Sequence, residues 1–130
     1  KKQGFGAIVL MASDQAFVAK EQCAIYGATK AAIAQLAKST ALDYATYGIR
    51  VNCVCPGTID TPMYQAVISQ FQQKTGLAAS LIREQVAKKL PLQRVGKPEE
   101  VAELVGFLCS EASSFMTGAL INIDGGYTIQ

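Results

Sequence analysis

The chain has 130 residues, of which 50% are hydrophobic and 17% charged, and its formal net charge is +2. This length and apolar content are typical of one globular domain and exclude a disordered protein. The charges form no basic run, and no apolar run reaches the roughly 18 residues that a membrane span needs. We therefore predict neither a nucleic-acid-binding nor a membrane protein.

The sequence contains four cysteines and no histidine. Cys53 and Cys55 are two positions apart, which on a strand places them on one face, and the chain has no Cys-x-x-Cys or Cys/His cluster. We therefore predict no metal site, and we interpret all four cysteines as buried free thiols of a cytoplasmic protein. The lack of histidine also excludes a Ser–His or Cys–His nucleophile pair within this chain.

The first predicted element is a strand from Gly6 to Met11. Its continuous apolar sequence is typical of a strand buried on both faces, as in a parallel sheet covered by helices. Ser13 follows this strand, and ligands of open α/β sheets bind beyond the carboxyl ends of strands. Ser13 is therefore a candidate site residue, although a loop or helix-capping serine has the same pattern.

Residues 26 to 46 have the apolar periodicity of a helix with a face of small residues, and Tyr47-Gly48 predicts its end. Tyr26 and Lys30 lie four positions apart on that helix, so the phenol and the ammonium share one face. A cation at this position favours phenolate over phenol, which suits acid–base chemistry. An ordinary solvated helix pair is the alternative.

Residues 49 to 55 predict a second buried strand, which ends at the turn signal Pro56-Gly57. Residues 57 to 62 then form a loop, because Pro62 disfavours helical geometry at Thr61. From about 62 to 90 the sequence has two helical stretches divided by Gly76. We interpret this segment as a substrate-binding helical flap over the strand ends; two ordinary surface helices are equally consistent.

Residues 91 to 97 predict a loop, and Pro98 begins a helix that runs to about Ser110. A third apolar strand, 119 to 123, ends at Asp124-Gly125-Gly126. Helical connections between buried strands indicate a parallel sheet. The predicted fold class is therefore α/β, with three parallel strands and flanking helices.

Five motifs in this order resemble the short-chain dehydrogenase/reductase family. They are Ser13, Tyr-Gly-Ala-Thr-Lys at 26–30, Arg-Val-Asn-Cys-Val-Cys-Pro-Gly-Thr-Ile-Asp-Thr at 50–61, Arg-Val-Gly-Lys-Pro-Glu-Glu at 94–100, and Thr117-Gly118 through Asp124-Gly125-Gly126. Tyr26 follows Ser13 by 13 positions, which agrees with the spacing in that family. The resemblance covers essentially the whole chain and implies an NAD(P)-dependent oxidoreductase that acts on a secondary alcohol or ketone.

The resemblance implies a catalytic role for three residues. Tyr26 would be the general acid in carbonyl reduction and the general base in alcohol oxidation. Lys30 would hold the ribose of the cofactor and favour ionisation of Tyr26. Ser13 would form a hydrogen bond with the substrate oxygen and stabilise the charge that develops during hydride transfer.

The resemblance also implies a cofactor loop, with NAD or NADP as the cofactor. Pro56 and Gly57 would shape the loop against the nicotinamide, Ile59 would contact the carboxamide through its backbone, and Thr61 would bond to the carboxamide or the pyrophosphate. Residues 94–100 and 124–126 would be structural or lie at a subunit interface. A homodimer or homotetramer is expected.

The chain resembles only the C-terminal half of that family's Rossmann-type domain. A glycine-rich cofactor loop after a strand is missing, as is the acidic or basic residue that would select NAD or NADP, and the chain does not begin with methionine. We expect a fragment whose N-terminal half lies elsewhere. The alternatives are one half of a split enzyme and a short non-catalytic binding or assembly module. In each case we expect the 130-residue chain to be inactive alone, and the substrate is left open.

Overall fold

The structure, a computed structural model, describes residues 2–130 and contains one parallel sheet in the order β1-β2-β3. The strands are β1 (Gly6–Met11), β2 (Ile49–Pro56) and β3 (Leu120–Ile123). β1 and β2 pair from Gly6 opposite Ile49, and β2 and β3 pair from Cys53 opposite Leu120. The predicted fold class is confirmed.

Four α-helices cross over between the strands. They are α1 (Ala24–Tyr44), α2 (Pro62–Thr75), α3 (Ala79–Lys88) and α4 (Pro98–Cys109). Local signals explain most of their boundaries. Pro62 and Pro98 occupy first helical positions, and Gly76 ends α2 in the left-handed conformation with a φ of 71°.

The α1-to-β2 connection requires glycine at position 48. Gly48 has a φ of 69°, and a Cβ atom there would lie 2.3 Å from the carbonyl oxygen of Gly4. A side chain would therefore be strained by its backbone angle and would clash with the segment before β1. The turn brings the start of β2 beside the start of β1.

The three strands differ in burial. Residues 51–55 of β2 are fully buried, because β2 has a neighbouring strand on each side and helices on its faces. The prediction that β1 is buried on both faces is wrong: Ile8 is 40% exposed and Met11 44%. Within residues 2–130, β1 has a neighbouring strand on one side only, so its apolar side chains have fewer neighbours.

The apolar side chains form two separate cores. The main core joins α1 to the sheet, and its buried members are Ala12, Ala37, Ala41, Val51, Cys53 and Cys55. A second core lies between α2 and α3, where Tyr64, Ile68 and Ile82 are buried. The segment that we predicted as a flap therefore has a small core of its own.

The cysteines are not all buried as predicted. Cys53 and Cys55 are buried in β2, but Cys23 is half-buried and Cys109, the last residue of α4, is exposed. Leu108 of α4 is fully buried, but Cys109, the next residue, lies on another face at the end of the helix. Among residues 2–130, no helix is both long and apolar enough to cross a membrane.

Candidate active site

The carboxyl ends of β1 and β2 open onto a cleft of about 460 Å³. Five predicted site residues line it: Ser13, Tyr26, Gly57, Ile59 and Thr61. Lys30 and Pro56, the other two, lie outside its lining. Five of the seven predicted residues therefore lie together on one cleft at the carboxyl edge of the sheet.

Ser13 begins a short 3-10 turn at residues 14–16, directly after β1. Its side chain is 6% exposed, and its hydroxyl donates a hydrogen bond to Asp14 Oδ1 at 2.8 Å. Its oxygen also accepts the Gln15 N–H at 3.2 Å. A hydroxyl has one proton and two lone pairs. One lone pair is therefore free to face the cleft. To donate a hydrogen bond to a substrate oxygen, the Ser13 hydroxyl must first break its bond to Asp14.

Sequence reasoning missed the ion pair beside Ser13. Asp14 is 2% exposed, and its Oδ2 atom lies 2.7 Å from Lys20 Nζ. Lys20 Nζ also lies 4.6 Å from the centre of the Tyr127 ring, a cation–π distance. The signal in the sequence was an aspartate directly after a candidate serine. A lysine six positions later in a loop follows no periodic rule, so the pair itself was not predictable.

Tyr26 and Lys30 lie in the first two turns of α1, as the helix prediction required. Tyr26 is 39% exposed at the edge of the cleft. Lys30 Nζ lies 5.5 Å from the centre of the Tyr26 ring and donates to the carbonyl oxygen of Met11 at 3.3 Å. The structure therefore brings the ammonium close to the phenol and to the end of β1.

The site loop, residues 57–61, is shaped by close backbone contacts. The Gly57 N–H donates to the carbonyl oxygen of Ile123 at 3.1 Å. A Cβ atom on Gly57 would lie 2.8 Å from both the Cα and the Cβ of Asp124, so only glycine fits there. At the other end of the loop, Thr61 Oγ1 caps α2 by accepting the Tyr64 N–H at 3.3 Å. This cap uses a lone pair of Thr61 and leaves its proton available to a ligand.

Asp124 holds the turn against which Gly57 packs. Its carboxylate accepts hydrogen bonds from the Gly126 N–H, the Thr128 N–H and the Thr128 hydroxyl. Partial burial by itself would raise the pKa of Asp124, but these hydrogen bonds outweigh it, so the pKa lies below its ordinary value. Asp124 is therefore a structural residue that supports the site loop.

A second loop, residues 91–97, pairs with the middle of the site loop. The Asp60 N–H donates to the Gly96 carbonyl oxygen at 2.9 Å, and the Gly96 N–H donates to the Thr58 carbonyl oxygen at 3.0 Å. These two bonds form a parallel bridge between Ile59 and Gly96. We call residues 91–97 the clamp loop.

Helices α2 and α3 cover the other side of the cleft. Met63, Tyr64 and Val67 of α2 and Val86 of α3 contribute to its lining. Tyr64 is 8% exposed, and its hydroxyl has no hydrogen-bond partner within residues 2–130. Burial raises the pKa of Tyr64, so the phenol is neutral at physiological pH. The cleft thus has an apolar wall with one buried hydroxyl in it.

Comparison with known proteins gives a consistent result. The profile of a family described as enoyl-(acyl carrier protein) reductase matches residues 1–128. Cis-4-hydroxycyclohexanecarboxylate dehydrogenase of Sinomonas cyclohexanicum is 43% identical over 96% of this chain and 46% of its own length.

Two solved structures share the fold. A short-chain dehydrogenase family protein from Francisella tularensis superposes with a TM-score of 0.93 and 51% identity, over 95% of this chain and 51% of that one. L-sorbose reductase of Gluconobacter frateurii, solved with NADPH and L-sorbose, gives a TM-score of 0.93 at 33% identity, over 99% and 49%. The chain therefore spans about half the length of the relatives that it matches.

Proposed function

Because the chain belongs to the short-chain dehydrogenase/reductase family, we propose that it is the C-terminal half of an NAD(P)-dependent oxidoreductase. The whole enzyme would transfer hydride between the nicotinamide and a secondary alcohol or ketone. The observation that carries this proposal is the single cleft on which Ser13, Tyr26 and the site loop meet, with Lys30 5.5 Å from the Tyr26 ring.

The roles of the three side chains follow from their chemistry. In carbonyl reduction the Tyr26 hydroxyl gives its proton to the substrate oxygen, and in alcohol oxidation the phenolate takes the proton back. Ser13 hydrogen-bonds the same oxygen. The Ser13 hydroxyl already donates to the Asp14 carboxylate. It therefore donates most strongly to the substrate oxygen when that oxygen gains negative charge, because the charged oxygen then competes with the carboxylate for the hydrogen bond. Lys30, whose Nζ lies 5.5 Å from the centre of the Tyr26 ring, would hold the ribose of the cofactor.

The site loop fits the nicotinamide end of NAD or NADP. In a parallel bridge the bonds are made by the groups on either side of the bridged residue. The Ile59–Gly96 bridge uses the Thr58 carbonyl and the Asp60 N–H, so the N–H and C=O of Ile59 itself are directed away from Gly96. These groups would bind the carboxamide, and the Thr61 hydroxyl would donate to the carboxamide or the pyrophosphate. The bound cofactor supplies or accepts the hydride.

The remaining features of the whole enzyme are proposed as follows. The N-terminal half would carry the glycine-rich loop for the pyrophosphate, and residues 62–90 would be the substrate flap, supported by their separate core and their side chains in the cleft. The enzyme would be cytoplasmic.

We also propose a homodimer or homotetramer. Exposed apolar side chains on α1, Leu36 at 56% and Leu42 at 81%, support an interface on this helix. Analytical ultracentrifugation tests it, and a monomer at high concentration contradicts it.

The test of the proposed function uses the full-length protein that contains both halves. The substrates are cis-4-hydroxycyclohexanecarboxylate with its 4-oxo ketone, and L-sorbose, each with NAD(H) and NADP(H). We expect turnover of at least one pair, and we expect Tyr26→Phe to lower kcat/KM by about 100-fold or more, because general acid–base catalysis contributes this much.

Two controls complete this experiment. Tyr44→Phe, on the same helix, should leave kcat/KM within about twofold, and circular dichroism should show that both variants are folded. Full turnover by Tyr26→Phe would show that Tyr26 is not the acid–base residue. A wild type that binds neither dinucleotide would contradict the oxidoreductase proposal and support the non-catalytic alternative.

A further inference from the structure

An exposed ion pair fixes the shape of the clamp loop. Arg94 Nη1 and Nη2 contact the two carboxylate oxygens of Glu100 at 2.8 and 2.6 Å, a bidentate geometry. Glu100 Oε2 also accepts the Lys97 N–H at 2.7 Å, and Arg94 Nη1 donates to the Val95 carbonyl oxygen at 3.2 Å. The pair is thus bonded to the backbone on both sides of Gly96.

This ion pair contributes little to the stability of the protein. The side chains of Arg94 and Glu100 are 51% and 36% exposed, and ion pairs at such exposure contribute little to the free energy of unfolding. Its effect is instead geometric. The guanidinium and the carboxylate are both planar, and two parallel hydrogen bonds join them. They therefore fix the path of residues 94–97 more tightly than a single contact would.

The clamp loop in turn fixes the middle of the site loop. The first residue of the site loop is held by the Gly57 bond to Ile123, and the last is held by the Thr61 cap of α2. Between these two ends, the bonds to Gly96 hold Thr58 and Asp60. The orientation of the Ile59 N–H and C=O therefore depends on where the clamp loop places Gly96.

We propose that Arg94 and Glu100 are positioning residues that hold the Ile59 backbone against the nicotinamide carboxamide. This inference rests on the proposed function. It assigns the pair a specific consequence: loss of the pair weakens contact between Ile59 and the nicotinamide and leaves contact with the adenosine and pyrophosphate portions intact. Thr61, the loop residue that could reach the pyrophosphate, is held separately by its cap on α2.

The test separates the two portions of the cofactor. In the full-length protein, Arg94→Met is compared with wild type for binding of NADH and of ADP-ribose, which lacks the nicotinamide; NADPH and the 2′-phosphate of ADP-ribose are the second pair. We expect the Kd of the dinucleotide to rise about tenfold, as for loss of one good hydrogen bond. The Kd of the nicotinamide-free ligand should stay within about twofold.

A second readout needs no cofactor. Amide hydrogen exchange at Asp60 and Gly96, whose N–H groups form the bridge, should become about tenfold faster in Arg94→Met. Exchange in the β1–β2 ladder should not change. Arg94→Lys keeps the charge but not the two parallel bonds, so it should give an intermediate effect on both readouts.

Lys88→Met is the matched control. It breaks another exposed ion pair, Lys88–Glu84 at 2.6 Å on α3, and it should change neither readout. Equal weakening of NADH and ADP-ribose, or unchanged NADH binding, would overturn the positioning role. A wild type that binds ADP-ribose and NADH equally would also overturn it, because Ile59 would then make no useful contact. Failure of the wild type to bind any dinucleotide would refute the proposed function, and the positioning role with it.

Discussion

The carboxyl ends of β1 and β2 lie at the same edge of the sheet, but different kinds of bonds hold them. After β1, side chains make the important contacts: Ser13 with Asp14, Asp14 with Lys20, and Lys30 beside Tyr26. After β2, backbone groups make them, as residues 57–60 bond to Ile123 and Gly96. The first end presents titratable groups to the cleft, and the second presents a backbone surface.

This difference predicts different effects of substitution. A side chain at the β1 end can be exchanged for one of similar size without moving the backbone, so chemistry should change while stability does not. At the β2 end, the site loop is fixed because its backbone lies close to two other segments, the turn at Asp124 and the clamp loop. A new side chain there should therefore lower the free energy of unfolding first and affect binding as a consequence.

Lys30→Met in the full-length protein should give the largest effect. It keeps the length of the side chain and removes the ammonium beside Tyr26, so we expect kcat/KM to fall by about 100-fold or more. The free energy of unfolding should change by no more than about 0.5 kcal/mol, because the lost bond to Met11 is exposed. Lys38→Met, an exposed lysine on the same helix, is the control. A large loss of stability without loss of activity would reverse our interpretation of the β1 end.

Gly57→Ala should have the opposite effect, in which the free energy of unfolding falls first and any loss of binding follows from it. Its new methyl group would lie 2.8 Å from Asp124, so the turn must move, and we expect a loss of about 1–3 kcal/mol in chemical denaturation. Gly106→Ala is the control, because a Cβ atom on that α4 residue would meet nothing within 4 Å. It should be neutral or stabilising by up to about 1 kcal/mol. If Gly57→Ala were as stable as Gly106→Ala, backbone packing would not define this end.

Acid should weaken the clamp loop through Glu100. The Arg94 guanidinium and the Lys97 N–H lower the pKa of Glu100 to about 2. A depressed folded pKa stabilises the fold above the unfolded pKa of about 4.3, and this contribution is lost as pH falls through that value toward 2. The difference in free energy of unfolding between wild type and Glu100→Gln should therefore be small, present at pH 7, and shrink between pH 4.5 and 2.5.

The control for this acid effect is Glu103→Gln, which removes an exposed carboxylate from the same helix. Its difference from wild type should not follow the same pH window. A difference for Glu100→Gln that stays constant from pH 7 to pH 2.5 would show that the carboxylate charge does not act through the pair.

Much of the fold follows from local signals in the sequence. Pro62, Gly76 and Pro98 set helix boundaries by the conformations that they permit, and each boundary lies within a few residues of the prediction. The order of strands and helices then requires a parallel sheet. Because parallel strands place their carboxyl ends at one edge, the sequence alone predicts that Ser13 and Gly57 lie near each other, and both line the cleft together with Tyr26.

Features that depend on contacts between distant segments were not predictable. The exposure of Ile8 and Met11 depends on which strands flank β1. An apolar run in the sequence predicts a strand but does not say which strands lie beside it. The link from Glu100 through Gly96 to Ile59 joins the start of α4 to the clamp loop and the site loop, and no periodic pattern announces it. The prediction of four buried cysteines was wrong for the same reason, since composition does not say where each thiol lies.

The cysteines provide the smallest but most direct check on the two strand ends. Cys53 and Cys55 in β2 are 0% exposed, and burial raises the pKa of both thiols, that of Cys55 to about 12. Both are therefore protonated and inaccessible at pH 8.

Two other cysteines should react with a thiol reagent in the native protein: Cys23, at the rim of the cleft beside the β1 end, and exposed Cys109. Peptide mapping by mass spectrometry can show this. Protection of Cys23 by bound substrate would place the ligand at the β1 end. Modification of Cys53 and Cys55 at the rate of Cys109 would mean that β2 opens readily, which the close packing around it argues against.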